Sequence, residues 1–325
     1  MGMTRRAMLR SLAGAGLAPA LPVVARGQPY PAREVRIVVG FPPGGALDSA
    51  ARTIAPALEG GLGLPVRVEN RVGASGNDAT RLVVRAAPDG GTLLLCGPVN
   101  TINATLFPDL DFDFGRDIAP VAGIARVPLV VEVHPSVPVR SMPELIAHAR
   151  ANPGQLRVAY AGAGTPQHVA VELFQHMAGV RLSLVAYPGS AAALEDLLRG
   201  AADAMFDPAP SSMPHVRAGR LVALATTGPT RAAALPDLPT VAEVLPGYEG
   251  GSWYGLGAPR GTPAEVVARL SAVVNDGLRD AGVRRALDAL GAEAMPGSAA
   301  EFGRFIAAET SRYADIIRRA GIRQR

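Results

Sequence analysis

The chain has 325 residues, 48% hydrophobic and 18% charged, which is enough for two packed cores and too balanced a composition for a disordered protein. Of its 32 basic residues, Arg5, Arg6 and Arg10 sit in a leader-like N-terminus, and the remaining 29 face 28 acidic residues, so the cation surplus that a nucleic-acid partner requires is missing. Every basic residue is arginine, and the absence of lysine excludes a Walker A lysine, Schiff-base catalysis and Ser-Lys dyads.

Residues 1–25 combine a charged start with an apolar, Gly/Ala-rich stretch and small residues at Val23-Val24-Ala25, the pattern of a secretory signal peptide. Arg5-Arg6 ahead of Met8 and Leu9 fits a twin-arginine signal, with a Sec leader as the other reading. After the leader no apolar run reaches the roughly 18 residues of a membrane span, so the mature protein is expected to be soluble and outside the cytoplasm. Cys96, the only cysteine, is expected as a buried strand residue.

Apolar, β-branched runs predict strands at Val35 to Val39, Val66 to Glu69, Thr92 to Cys96, Leu129 to Val133, Leu156 to Tyr160, Leu182 to Tyr187, Ala204 to Phe206 and Leu221 to Thr226. Helical segments alternate with them at Ser49 to Leu58, Ala79 to Arg85, Met142 to Ala151, His168 to Ala178, Ala192 to Arg199 and Ser212 to Ala218. Glu265 to Asp280, Val283 to Leu290 and Ala299 to Ala320 close the series, and Ser141-Met-Pro-Glu144 and Thr262-Pro-Ala-Glu265 carry N-terminal capping signals. This βαβ rhythm predicts an α/β protein with mixed, mainly parallel sheets flanked by helices. Turn-rich segments at Pro135 to Pro138 and Pro246 to Gly251 bracket a middle block, so residues 29–128 with 254–325 are expected to form one lobe and 129–253 the other. Two chain crossings between lobes would act as a hinge.

Two glycine-rich strand-to-helix corners, Phe41-Pro-Pro-Gly-Gly-Ala-Leu-Asp48 and Tyr160-Ala-Gly-Ala-Gly-Thr-Pro-Gln-His168, can each turn backbone N–H groups and a helix N-terminus toward one point, which suits a carboxylate. Glycines that merely permit tight turns are the alternative for either corner alone. The second corner imitates part of a dinucleotide fingerprint, but its third glycine is missing and no acidic residue follows about 20 residues on. No G-x-S-x-G elbow exists, Ser75 is expected as a turn residue, and the five histidines include no H-E-x-x-H. His168 is expected to face the loop at its helix start. Asp207, ending a strand, either receives a cation, orients a hinge loop or is an ordinary turn aspartate before Pro208. Trp253 and Tyr254 are expected to pack between the lobes.

Taken in order, Tyr30 to Gly45 with Asp48, Val68-Glu-Asn-Arg-Val-Gly-Ala-Ser-Gly-Asn77, Ala87-Pro-Asp-Gly-Gly-Thr-Leu93, Ala161-Gly-Ala-Gly-Thr165 with His168, Leu238-Pro-Thr-Val-Ala-Glu243 and Trp253 to Pro263 resemble the Bug family. These are periplasmic solute-binding receptors associated with tripartite tricarboxylate transporters. The resemblance implies a two-lobed periplasmic-binding-protein (Venus flytrap) fold, no catalysis, no cofactor and no metal, and closure on a small organic acid. It implies a monomer that serves a membrane permease or a sensor. A secreted α/β enzyme acting on a similar acid is the alternative.

The resemblance places the ligand site at Phe41, Gly44, Gly45 and Asp48; at Pro98, Val99 and Asn100; and at Ala161, Gly162, Gly164, Thr165 and His168, with Tyr187 and Asp207 completing the set. Departures from the family's usual residues at Ala46, Leu47, Ala163 and Pro188 remove side-chain polarity near the expected cleft. They point to a ligand with one carboxylate and a more apolar or aromatic body than citrate.

Overall fold

The computed structural model describes residues 34–232, 235–289 and 291–323. The leader, and Tyr30 to Arg33 of the family motif, lie outside them. In chain order the first part contains β1 (Val35–Val39), α1 (Ala46–Leu62), β2 (Val66–Asn70), α2 (Asn77–Val84), β3 (Thr92–Cys96), α3 (Pro98–Leu106), the short α4 (Phe114–Asp117) and β4 (Ile118–Val127). The middle holds β5 (Leu129–Val133), α5 (Met142–Ala151), β6 (Arg157–Tyr160), α6 (Pro166–Ala178), β7 (Ser183–Ala186), α7 (Ser190–Leu198), β8 (Ala204–Pro208), α8 (Ala209–Arg217) and β9 (Val222–Thr226). The chain then returns through β10 (Ser252–Pro259), α9 (Ala264–Arg279), α10 (Ala281–Ala289), β11 (Glu293–Ala294) and α11 (Ala299–Ala320).

Two sheets result, one ordered β11-β4-β10-β3-β1-β2 and the other β7-β6-β8-β5-β9. Helices cover both, and each lobe has its own apolar core. Val35, Ile37, Val38 and Val39 of β1 have no exposed surface, as befits a strand buried on both faces. Cys96 is equally buried, donates to the Gly255 carbonyl at 3.3 Å, and is pushed by burial up to about 12.

The sheets are mixed, with more antiparallel pairing than the βαβ rhythm predicted. Parallel pairs join β1 to β2 and β3, and β6 to β7 and β8. Antiparallel pairs surround β10 and β5. The cause is the double crossing. Only Pro128 separates β4 from β5, so a strand leaving the first lobe at its cleft edge enters the second from that edge and must run against its neighbours. β10 makes the same entry on the way back, beginning at Ser252.

α11 spans both lobes. Its Tyr313 and Ile317 pack with Ile102 and Leu106 of α3 and with Val169 of α6. At the return crossing, Tyr313 Oη donates to the Gly251 carbonyl at 3.2 Å and Arg312 donates to the Glu249 carbonyl at 3.1 Å. Trp253 Nε1 donates to Glu309 at 3.1 Å, and its ring meets Phe302 and Phe305 edge-on. Trp253 therefore anchors the returning chain to α11.

Candidate ligand-binding site

Parallel strands end where their helices begin, so each βα corner aims a helix N-terminus at the edge where the lobes meet. Five of these N-termini border one cavity of about 230 Å³. α1 contributes Gly45, Ala46 and Leu47; α3 contributes Pro98 and Val99; α6 contributes Thr165, Pro166 and Gln167. From the far wall come Gly189 to Ala192 at the start of α7 and Pro208 before α8, while Ser252 and Tyr254 of β10 form part of the floor. Among the described residues, no charged side chain lines the cavity. No N-cap side chain among the described residues caps α1, α3, α7 or α8, so the first N–H groups of these helices have no acceptor from that residue's side chain.

The first corner is braced from behind. Asp48, 3% exposed, accepts from Arg52 Nε at 2.9 Å, from the Gly44 N–H at 2.9 Å and from Asn70 Nδ2 at 3.0 Å. Asn70 Nδ2 also donates to the Phe41 carbonyl at 2.9 Å, so one amide ties both ends of the corner together. Burial works to raise the Asp48 carboxyl, and the bonds from Arg52, Gly44 and Asn70 outweigh it to leave the group lowered. Gly44 takes φ +82°, the left-handed region that this turn reserves for glycine.

The second corner is organised by capping. Thr165 Oγ1 accepts from the His168 N–H at 3.3 Å and donates to the Gly162 carbonyl at 2.8 Å. His168, 1% exposed, stacks on Tyr160 with ring centroids 4.9 Å apart, and its Nδ1 accepts from the Gly164 N–H at 3.4 Å. Gly164 leans on the other lobe: a Cβ there would lie 2.6 Å from Asn103 Oδ1 of α3, and its φ is +76°. Asn103 is fixed by donating to the Ser75 carbonyl and to Asn77 Oδ1, both at 3.0 Å.

Of the residues expected at the site, Phe41, Gly45, Pro98, Val99, Ala161 and Thr165 line the cavity. Gly44, Asp48, Gly162, Gly164 and His168 stand behind that surface and shape the corners. Asn100 accepts from the Gly97 N–H at 2.9 Å and donates to Thr80 Oγ1 at 2.9 Å, which fixes the start of α3. Tyr187 Oη turns to Asp196 at 2.7 Å. Ala46, Leu47 and Pro188 lie on the cavity wall and Ala163 does not. Gln167, Ser190 and Tyr254 were missed as lining residues. Pro166-Gln167 at the expected helix start was the available signal for the first, and Tyr254, expected between the lobes, reaches the cavity instead of only packing.

Asp207 has no exposed surface and lies under the floor. Burial pushes it up to about 6, while the Ser211 hydroxyl, which donates to its Oδ2, and the nearby hydroxyls of Ser190 and Ser212 and amide of Gln167 pull the other way. Nearby Glu132, equally buried, is held well above the usual carboxylate range by burial and by the charge of Asp207.

Two lobes joined by two crossings and meeting over a shared cavity have the architecture of a solute-binding receptor. The profile of the tripartite tricarboxylate transporter family receptor matches residues 50–322, and the chain belongs to that family. Protein BugT of Bordetella pertussis is 35% identical over 325 residues, covering 99% of each chain. The structure of R. palustris Rpa4515 with adipate superposes with a TM-score of 0.86 at 38% identity, covering 90% of this chain and 99% of that one. MatC (Rpa3494) from Rhodopseudomonas palustris with bound malate gives 0.82 at 33% identity, covering 89% and 100%.

Proposed function

We propose that the chain is an extracytoplasmic receptor that captures a small organic acid between its lobes and presents it to a membrane permease of the tripartite type or to a sensor. The observation that carries this reading is the convergence of helix N-termini, only that of α6 capped by its N-cap side chain, on a cavity with no charged side chain among the described residues. Backbone N–H groups and helix dipoles can hold a carboxylate there without an arginine. At about 230 Å³ the cavity is smaller than the roughly 300–1,000 Å³ typical of pockets for drug-sized ligands, which favours a small acid. The adipate and malate present in the two related structures support the same class.

Within that class, the side chains of Ala46, Leu47, Val99, Pro188 and Ala191 favour an acid with one anchored carboxylate and an apolar or aromatic body. The receptor works as a monomer in the periplasm, exported by its twin-arginine or Sec leader, and closes by motion about the crossings near Pro128 and Ser252. Closure signals occupancy because only the closed form surrounds the ligand.

Titration calorimetry and thermal shift with hexanoate, benzoate, adipate and citrate test the proposal. Hexanoate or benzoate should bind most tightly, raise the melting temperature and be recovered unchanged, since a ligand that binds only the folded state stabilises it by mass action. Tight citrate binding without any response to the apolar acids contradicts the specificity. Turnover of a bound acid contradicts the receptor role.

A further inference from the structure

β5 and β8 pair with Val130 opposite Asp207 and Glu132 opposite Met205. The two carboxyls therefore project from one face of the sheet as diagonal neighbours, roughly 7–8 Å apart or less at their Cβ atoms. Both residues have no exposed surface. Glu132 Oε1 and Oε2 and Asp207 Oδ1 have no hydrogen-bond partner, and neither residue shares in an ion pair among the described residues.

The surroundings offer hydroxyls and an amide in place of a cation. α8 supplies Ser211 and Ser212, with Ser212 acting on both carboxyls, while α7 supplies Ser190 and α6 supplies Gln167. The neighbouring strands set Ala159 of β6 beside Met205, and Ala223 and Thr226 of β9 beside Glu132 and Val130. Tyr254 of β10 is the remaining titratable group that faces Asp207, and its buried phenol has no partner. The other charged groups of the covering helices are engaged or distant: His168 and Glu172 of α6 lie 3.6 Å from each other, Glu195 and Asp196 of α7 pair with Arg199, and His215 and Arg217 occupy the last turn of α8. Two like carboxyls buried together without a cation cannot both ionise cheaply. Ser190 and Gln167 line the cavity, so the pair lies one side chain away from whatever the cavity holds.

We propose that Asp207 and Glu132 hold a proton beneath the cleft, and that capture of an organic anion draws one more proton from water onto Asp207, so that the receptor's grip weakens as the medium turns alkaline. Resting on the organic-acid reading above, this adds a proton to the binding reaction: the empty receptor with Asp207 ionised, the anion and one proton from solvent give the closed receptor with Asp207 neutral. Below about pH 6 Asp207 already carries its proton when the cavity is empty, and the coupling disappears. Above it, the incoming negative charge makes the buried carboxylate costlier, and binding takes the proton up.

The test is calorimetry of the full receptor and of Asp207→Asn with benzoate and adipate between pH 6.5 and 8.5, each in two buffers of different ionisation enthalpy. Both probes are fully ionised over this range. The wild type should lose about tenfold in affinity across it, with net uptake of up to one proton per bound anion, whereas Asp207→Asn should show a flat profile and no proton uptake. Tight binding by a wild type with a flat profile overturns the coupling and leaves the receptor reading standing. A pH slope of the wild-type size in Asp207→Asn also overturns it. Infrared spectra of the ligand-free protein at pH 7 provide a readout that does not depend on binding: a protonated-carboxyl stretch should be present and should weaken in Glu132→Gln. Its absence in the wild type overturns the shared proton. If neither probe binds while that band is present, the organic-acid reading fails and takes the coupling with it, but the proton pair stands.

Discussion

The two corners of the cleft start from similar sequence, glycine and proline between a strand and a helix, and are stiffened in opposite ways. The Phe41 to Asp48 corner is held by an ionised carboxylate with three donors, which leaves the N-terminus of α1 uncapped and facing the cavity. The Ala161 to His168 corner spends Thr165 on capping α6 and rests Gly164 against Asn103 of the other lobe. Behind it, Asp207 lacks a cation and titrates upward where Asp48 titrates downward. One corner is thus built to present donors, and the other to meet its partner and register charge.

The comparison breaks most severely if Asp48 is removed. Asp48→Ala leaves the Gly44 N–H and the Asn70 amide without their acceptor, and chemical denaturation should show a loss of about 2–3 kcal/mol together with weakened ligand binding. The lowered Asp48 carboxyl supports the fold above its unfolded value of 3.8 and loses that contribution as the pH falls through its folded value, so the wild type should melt earlier in strong acid and Asp48→Asn should melt with a flatter acid limb.

Asp207 should behave in the reverse sense. Its raised value means that the neutral form stabilises the fold below 3.8 and that this contribution is lost as the pH rises through about 6. Asp207→Asn should therefore be more stable than the wild type at pH 8, by on the order of 2 kcal/mol, with the gap closing toward pH 4 in melting curves. A variant less stable at pH 8 than at pH 4, relative to the wild type, would remove the contrast between the two aspartates.

At Gly164 a side chain meets Asn103 and also carries the roughly 1–2 kcal/mol penalty of a left-handed conformation. Gly164→Ala should weaken ligand affinity about tenfold in calorimetry, whereas Gly44→Ala, with nothing within 4 Å of its Cβ, should carry the backbone penalty alone. The smallest expected effect is that of Thr165→Ala, about 1 kcal/mol of stability from the lost cap, read from the denaturation midpoint.

Much of this was legible in the sequence where local signals were strong. β1, β3 and β5 appear with the boundaries that their apolar runs predicted, and so do α5 and α11. β4 and β10 were not legible. They carry Pro120, Gly123, Gly255 and Gly257, which weaken a strand signal, and their pairing joins segments far apart in the chain. The glycines are required by packing: a Cβ on Gly255 would come within 2.1 Å of the Phe302 ring. α3 was missed because its Gly97-Pro98 start looks like a turn and its body is rich in Asn and Thr. At the site, the corners were legible and the division of labour within them was not. Nothing local shows that Asp48 and Asn100 face backbone while Gln167, Ser190 and Tyr254 face the cavity, since that depends on how two lobes meet. The acid pair was invisible for the same reason, because Glu132 and Asp207 become neighbours only through the pairing of β5 with β8.

A crystal structure of the receptor with benzoate or hexanoate would test the central claim most directly. The carboxylate should lie about 2.8–3.0 Å from backbone N–H groups at the start of α1 or α7, with the apolar body against Leu47 and Pro188 and no arginine in contact. An acid bound outside this cavity, or held through an arginine side chain, would contradict it.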